Sequence, residues 1–342
     1  MLFMNHFNLD FDESYLTTYE FCPVCKSEER KDITNSDDKE FGSSYLLAIA
    51  KYLQVKPIKL LRAMKTYECT HCSTIYCDPW FTPEISNELY SSIYGKHNFG
   101  WLAFDKWAND IENIDIIGKR DVIWQYLKKF LGVIDNYAEL NCPFQGLYPM
   151  FVKEFYKQDK SFKDSRIKHM LEMRNIYKSY ESFNGFPLPK KELENNSIYP
   201  KNNYLITKET SMFWGSNCSF DSVSCHNTSV SLFGLKKLPF NEIGDLYFDV
   251  FGSYSNIDHF PDPLSVIKRM LKHSKIVVLT LHNLDTKIHK QHLYKFGKSF
   301  PLFLKKQGIN ILEIPISETA FNPDAPENSQ TILISETLNF NT

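Results

Sequence analysis

The chain has 342 residues, 43% of them hydrophobic, enough for roughly two domains of about 150 residues each around a sizeable core. Its 39 basic and 41 acidic side chains nearly balance, so bulk charge gives no argument for a polyanionic partner, and no nucleic acid is expected. No stretch approaches the roughly 18 consecutive apolar residues of a membrane span, and Met1 to Glu13, carrying Asp10, Asp12 and Glu13, lacks the basic start and apolar run of a secretory signal. The expectation is a cytoplasmic protein with no membrane span.

Four of the eight cysteines fall into two C-x-x-C pairs, Cys22-Pro-Val-Cys25 and Cys69-Thr-His-Cys72. Two such turns deliver four thiolates to one tetrahedral ion, and a long connection between them weakens the assignment little, because loop-closure entropy grows slowly with length. Cys22, Cys25, Cys69 and Cys72 are therefore expected to hold one structural zinc ion (Zn2+). Neither pair opens a helix after a strand, so a thioredoxin-like redox dithiol is not favoured. His71 and Cys77 are spare candidates for ligands, and the remaining thiols read as buried packing residues.

Residues 1–95 thus form an N-terminal zinc-binding module. Inside it, Ser44 to Leu53 has helical spacing that Pro57 ends or restarts. Residues 96–135 read as a helical linker and cover, with Trp107, Ile111, Ile114, Trp124 and Leu127 recurring at helical intervals. Residues 136–342 read as an α/β domain interrupted by an insertion at about 151–210, helical to Ser182 and turn-rich from Asn184 to Asn203. Past it, short apolar runs alternate with helical patterns: Ser211 to Gly215, Val230 to Gly234, Tyr247 to Gly252, Ile276 to Leu281, Asn310 to Ile314 and Thr331 to Ser335. That texture predicts a largely parallel sheet with both faces covered.

These residues carry a family likeness. The two cysteine pairs, followed by Ile75-Tyr-Cys-Asp-Pro-Trp-Phe-Thr-Pro-Glu84 and Leu89-Tyr90, resemble the zinc-binding leader of bacterial class I S-adenosylmethionine (SAM) dependent methyltransferases, several of which act on sugars. Phe248-Asp-Val250 leading to Ile257-Asp-His-Phe-Pro-Asp-Pro263 resembles the fourth sheet strand of that family and the acid-His-x-x-Asp-Pro turn after it. Ile276 to Leu281 resembles its fifth strand, and His292-Leu-Tyr-Lys-Phe296 its closing His-x-x-x-Phe segment. The resemblance implies a Rossmann-like methyltransferase sheet with an N-terminal zinc-ribbon-like module and a helical insertion, SAM as cofactor, and a small-molecule or glycan-precursor substrate.

The cofactor motif departs from the family pattern. Its best match is Glu139-Leu-Asn-Cys-Pro-Phe-Gln-Gly146, where Asn141, Pro143 and Gln145 stand in place of glycines that would let backbone approach a ligand. The resemblance assigns cofactor contacts to Glu139, Asn141 and Gly146, and to Asn217 at the end of a second strand over Phe213 to Asn217. Two readings stay open: a SAM-dependent methyltransferase with an unusual pocket, or an inactive or repurposed methyltransferase-fold protein serving as a binding or scaffold module. His259 and His282, at the ends of neighbouring strands, are the candidate catalytic bases, since an unperturbed histidine titrates near neutral pH. His289, His292 and Tyr254 are weaker candidates for the same pocket.

Overall fold

A computed structural model of the chain describes residues 13–34, 64–82, 120–140, 146–148, 150–151, 200–207, 235–254, 256–282, 294–314 and 329–341. The first half contributes five short strands: β1 (Leu16–Thr17), β2 (Arg30–Asp32), β3 (Lys65–Cys69), β4 (Ile75–Asp78) and β5 (Trp80–Phe81). β1 and β5 form an antiparallel ribbon, while β2, β3 and β4 form an antiparallel sheet whose β3–β4 hairpin closes around Cys69 to Thr74. Arg30 fastens this sheet. Its guanidinium lies 4.1 Å from the centre of the Tyr67 ring, donates to the Tyr19 carbonyl at 3.0 Å and pairs with the buried Asp78 carboxylate.

Helix α1 (Arg120–Leu131) buries Arg120, Ile123, Trp124 and Leu127, one helical stripe, and carries Lys128 and Lys129 in its last turn, where they favour the helix dipole. Gly132 ends it at φ +69°, in the left-handed region that a glycine reaches at low cost, with its N–H donating to the Lys128 carbonyl at 2.8 Å. The strands that follow build a second sheet: β6 (Asn136–Leu140), β7 (Asn202–Thr207), β8 (Lys236–Pro239), β9 (Phe248–Tyr254) and β10 (Ser274–His282). A two-residue strand, β11 (Tyr294–Lys295), precedes β12 (Asn310–Ile314) and β13 (Ser329–Ser335). Helix α2 (Pro263–Lys272) connects β9 to β10, capped by Asp262, whose side chain accepts from the Ser265 N–H at 3.1 Å; helix α3 (Phe300–Lys306) precedes β12.

The seven-stranded sheet has the order β12-β13-β10-β9-β6-β7-β8. β8, β7, β6, β9 and β10 run parallel, and β13 is antiparallel to both β10 and β12. Every residue of β9 is buried, as a central strand covered on both faces requires. This is a Rossmann-like α/β sheet. The second strand is Asn202–Thr207, paired with β6 from Asn136↔Asn202 to Leu140↔Ile206, and not the Phe213–Asn217 segment expected from the sequence. β7 lies inside the stretch read as an insertion, and residues 208–234, including the runs at 211–215 and 230–234, fall outside the described residues.

One sheet face carries Ala138, Leu140, Phe251, Val277, Leu279, Ile332 and Ile334, which share a continuous core with α2, α3 and the cysteine-bearing module. The module docks there through a strand exchange in sequence. β11 pairs antiparallel with β4 (Tyr294↔Tyr76, Lys295↔Ile75) and becomes the outer strand of the sheet that holds the cysteines. Ser73 Oγ donates to Ser299 Oγ at 2.9 Å, and a Cβ placed on Gly297 would lie 1.9 Å from the Ser73 carbonyl oxygen. That oxygen belongs to backbone and has no rotamer to give. Gly297→Ala is therefore expected to lower the unfolding free energy by about 3 kcal/mol, measured by urea denaturation, because the module must back away from α3.

Candidate metal centre and carboxyl-edge site

Both cysteine pairs sit in turns of the same construction. In the first, Lys26 N–H donates to the Cys22 carbonyl at 3.0 Å and Cys22 N–H to the Ser27 carbonyl at 2.8 Å; in the second, Ser73 N–H donates to Cys69 at 2.9 Å and Cys69 N–H to Thr74 at 2.8 Å. The residue after each second cysteine is left-handed, Lys26 at φ 62° and Ser73 at φ 58°, a conformation that costs a side-chain-bearing residue free energy. Twice repeated, that cost points to a demand imposed by what the turns enclose. The four sulfurs all lie within 4.8 Å of one another, with Cys22 to Cys72 at 3.7 Å and Cys25 to Cys69 at 3.4 Å. Four thiolates about 2.3 Å from a tetrahedral zinc stand about 3.8 Å apart, so the donor set fits that ion.

Hydrogen bonding between neighbouring sulfurs pushes the Cys22 thiol up and holds Cys25 down. All four cysteines are unbridged. His71 packs its ring edge-on against Phe303 at 5.9 Å, and Cys77 sits in β4 outside the sulfur group.

The second candidate site follows from the sheet order. Strand order reverses between β6 and β9, and in open α/β sheets ligands bind beyond the carboxyl ends of the strands at such a switch point. Asn256 spans it: its Nδ2 donates to the Leu140 carbonyl at 3.3 Å, while its buried Oδ1 has no partner. Ser253 Oγ, near the end of β9, is likewise buried without a partner. A buried polar atom left unmatched costs about 1–3 kcal/mol, and a ligand or water at this edge would satisfy these two.

Glu139, at the β6 end, turns to the opposite sheet face from Leu140. Its Oε1 accepts from Tyr137 OH at 2.7 Å and from the backbone N–H groups of Leu147 at 2.6 Å and Tyr148 at 3.3 Å; Oε2 is buried without a partner. Tyr254 OH lies 2.6 Å from Tyr137 OH, and because the Tyr137 hydrogen goes to Glu139, Tyr254 is the donor. The buried Arg120 Nε donates to the Gly146 carbonyl at 2.5 Å, and Tyr148 OH donates to the Tyr204 carbonyl. Glu139 and Gly146 are thus brought into direct contact, and their shared task in this geometry is to fix the turn at 146–148. Arg120, Tyr137 and Tyr148 carried no sequence signal beyond Tyr137 and Glu139 alternating onto one strand face.

Burial pushes the Glu139 carboxyl up to about 8, against the pull of Tyr137, the two amides and Arg120. Folding therefore favours its acid form. The stability this contributes is fully present below about 4.5, the ordinary value, and is lost as pH rises through about 8. Stability should fall with pH across that window by up to about 1.4 kcal/mol per unit, and Glu139→Gln should flatten the slope, read as denaturation midpoints from pH 5 to 8.

The remaining site residues divide by position. The backbone of His259 lies in the short helical turn Ile257–His259 just past β9, and that of His282 ends β10 opposite Ser329, so both emerge at the carboxyl edge; their side chains fall outside the described residues. Asn141, Asn217, His289 and His292 lie outside the described residues altogether. Tyr254 is fully buried in the Glu139 network. Asp249 lies at the opposite, amino end of the sheet, accepting from the N–H groups of Asp135 at 2.8 Å and Asn136 at 3.0 Å and from Lys275 at 2.6 Å. Among the described residues no helix is long and apolar enough to cross a membrane.

No family model and no curated protein matches the chain. Solved structures similar to it include the plantazolicin methyltransferase BpumL in complex with SAH, at 10% identity over 73% of this chain and 99% of that one, TM-score 0.34. WbdD, crystallised with the kinase inhibitor LY294002, matches at 13% identity over 64% of this chain and 40% of that one, TM-score 0.31. The small RNA methyltransferase HEN1 matches at 9% identity over 64% of this chain and 25% of that one, TM-score 0.31. The chain spans less than half the length of the last two. The fold assignment rests on strand order and register.

Proposed function

We propose that the chain is a SAM-dependent methyltransferase acting on a small molecule or a sugar or glycan precursor, with a structural zinc ion on Cys22, Cys25, Cys69 and Cys72. The observation that carries the reading is the switch point between β6 and β9, where Asn256 Oδ1 and Ser253 Oγ are buried without partners at the carboxyl ends of the strands. SAM supplies an already activated methyl group, so the protein's work is to align an acceptor and take up a proton. Asn256 and Ser253 offer polar contacts at that edge, Asn141 is the further candidate from the sequence, and His259, whose backbone lies in the turn just past β9, is the candidate base. Four thiolates leave zinc no open position, which assigns it to structure and not to catalysis.

Calorimetric titration of the zinc-loaded protein with SAM and with S-adenosylhomocysteine tests the reading without needing the acceptor. Micromolar binding is expected, with His259→Ala leaving it nearly unchanged. Absence of heat at millimolar ligand would instead support the repurposed-fold alternative.

A further inference from the structure

We propose that Tyr294 is a positioning residue through which the metal-bearing sheet sets the 257–262 turn at the carboxyl edge. The turn is held from two sides. On one, Asn256 Nδ2 reaches the end of β6 at the Leu140 carbonyl, 3.3 Å away. On the other, the Tyr294 hydroxyl shares its hydrogen between the carbonyls of Ile257 at 2.9 Å and Phe260 at 2.6 Å, the two residues that bracket Asp258 and His259. Tyr294 is fully buried, and burial, with Asp258 and Asp262 nearby, keeps its hydroxyl protonated and hence a donor.

The other end of the connection is the cysteine site. Tyr294 stands opposite Tyr76 in the β11–β4 pair, and β4 begins three residues after Cys72, whose sulfur lies 3.0 Å from Thr74 Oγ1. Strand β11 has no other pairing within the described residues, so its position depends on β4, and β4 leaves directly from the cysteine turn. Emptying the metal site frees that turn from its strained Ser73 conformation, frees β4, and through β11 withdraws the hydroxyl from the two carbonyls. The functional consequence rests on the reading of this edge as a ligand site. The mechanical coupling does not.

Hydrogen exchange by mass spectrometry on the full, zinc-loaded chain tests it, comparing wild type, Tyr294→Phe and Ser73→Ala, each before and after chelation. Phe keeps the ring and its packing, and a cobalt-substituted sample confirms by its thiolate absorption bands that the cysteine site is intact. Amides 257–262 should exchange about fivefold to tenfold faster in Tyr294→Phe, with α2 and β10 unchanged. Ser73→Ala, which breaks the Ser299 contact but not the Tyr294 bonds, should leave them as in wild type. Chelation should accelerate the segment in wild type and add clearly less in Tyr294→Phe. The proposal is overturned if Tyr294→Phe exchanges within about twofold of wild type, if Ser73→Ala matches it, or if chelation adds its full effect in both backgrounds. Titration of the same samples with S-adenosylhomocysteine separates the two readings: a wild type that does not bind it sinks the methyltransferase assignment, while the exchange comparison still decides the coupling.

Discussion

Replacing Cys22 and Cys69 together by serine is expected to release about one zinc ion per chain and to unfold the β2–β3–β4–β11 sheet. Each substitution removes one thiolate from a different turn, so only Cys25 and Cys72 remain and cannot close a tetrahedral site. Zinc bound by such turns contributes about 10–16 kcal/mol in small domains, comparable with the whole stability of a typical protein. The short strands of this sheet do not make up the loss: β2 has three residues and β11 two. Metal analysis and near-ultraviolet circular dichroism check both parts. Because the module shares a core with α2, α3 and the large sheet, the change should spread into the second half. Metal content equal to that of wild type would contradict the zinc assignment.

Gly146→Ala is the second large effect. A Cβ there would lie 2.0 Å from Glu139 Oε2 and 2.2 Å from both Cδ and Oε1. The carboxyl group cannot step aside, since Oε1 is held by Tyr137 and by the Leu147 and Tyr148 amides, so the turn must be expelled from the β6 end. A loss of about 3–5 kcal/mol is expected in urea denaturation. The paired variant Glu139→Ala with Gly146→Ala opens the space, so the two costs should be strongly non-additive. Additive costs would mean that the contact is relieved elsewhere.

The contrast between Glu139 and Asn217 shows what the sequence could carry. Apolar runs long enough to be central strands were legible: Tyr247 to Gly252, Ile276 to Leu281, Asn310 to Ile314 and Thr331 to Ser335 coincide with β9, β10, β12 and β13 to within a few residues. The cysteine pairs were legible because ligand spacing is a local property. β7 was not, because Asn202-Asn-Tyr-Leu-Ile-Thr207 opens with two asparagines after a turn-rich stretch and reads as the tail of a loop until β6 pairs with it. The second-strand position then fell to 213–217, and Asn217 with it, ten residues past the Thr207 at which β7 ends (217 − 207).

Long-range matches were out of reach for the same reason. Nothing in Tyr294-Lys295 announces a strand, since two residues acquire that structure only from the β4 edge they complete. Arg120 sits at the start of an amphipathic helix, where a charge reads as solvated surface; it is buried because the Gly146 carbonyl and the Glu139 network lie beneath it. Tertiary partners decide such residues, and a pattern along the chain does not contain them.

The central claim, a SAM site at the switch between β6 and β9, is tested most directly by hydrogen exchange on the zinc-loaded chain with and without saturating S-adenosylhomocysteine. Protection confined to the β6 end and the 146–148 turn, with the 256–260 segment, is the predicted result. Binding that protects only segments away from that edge, or no protection at millimolar ligand, would contradict it.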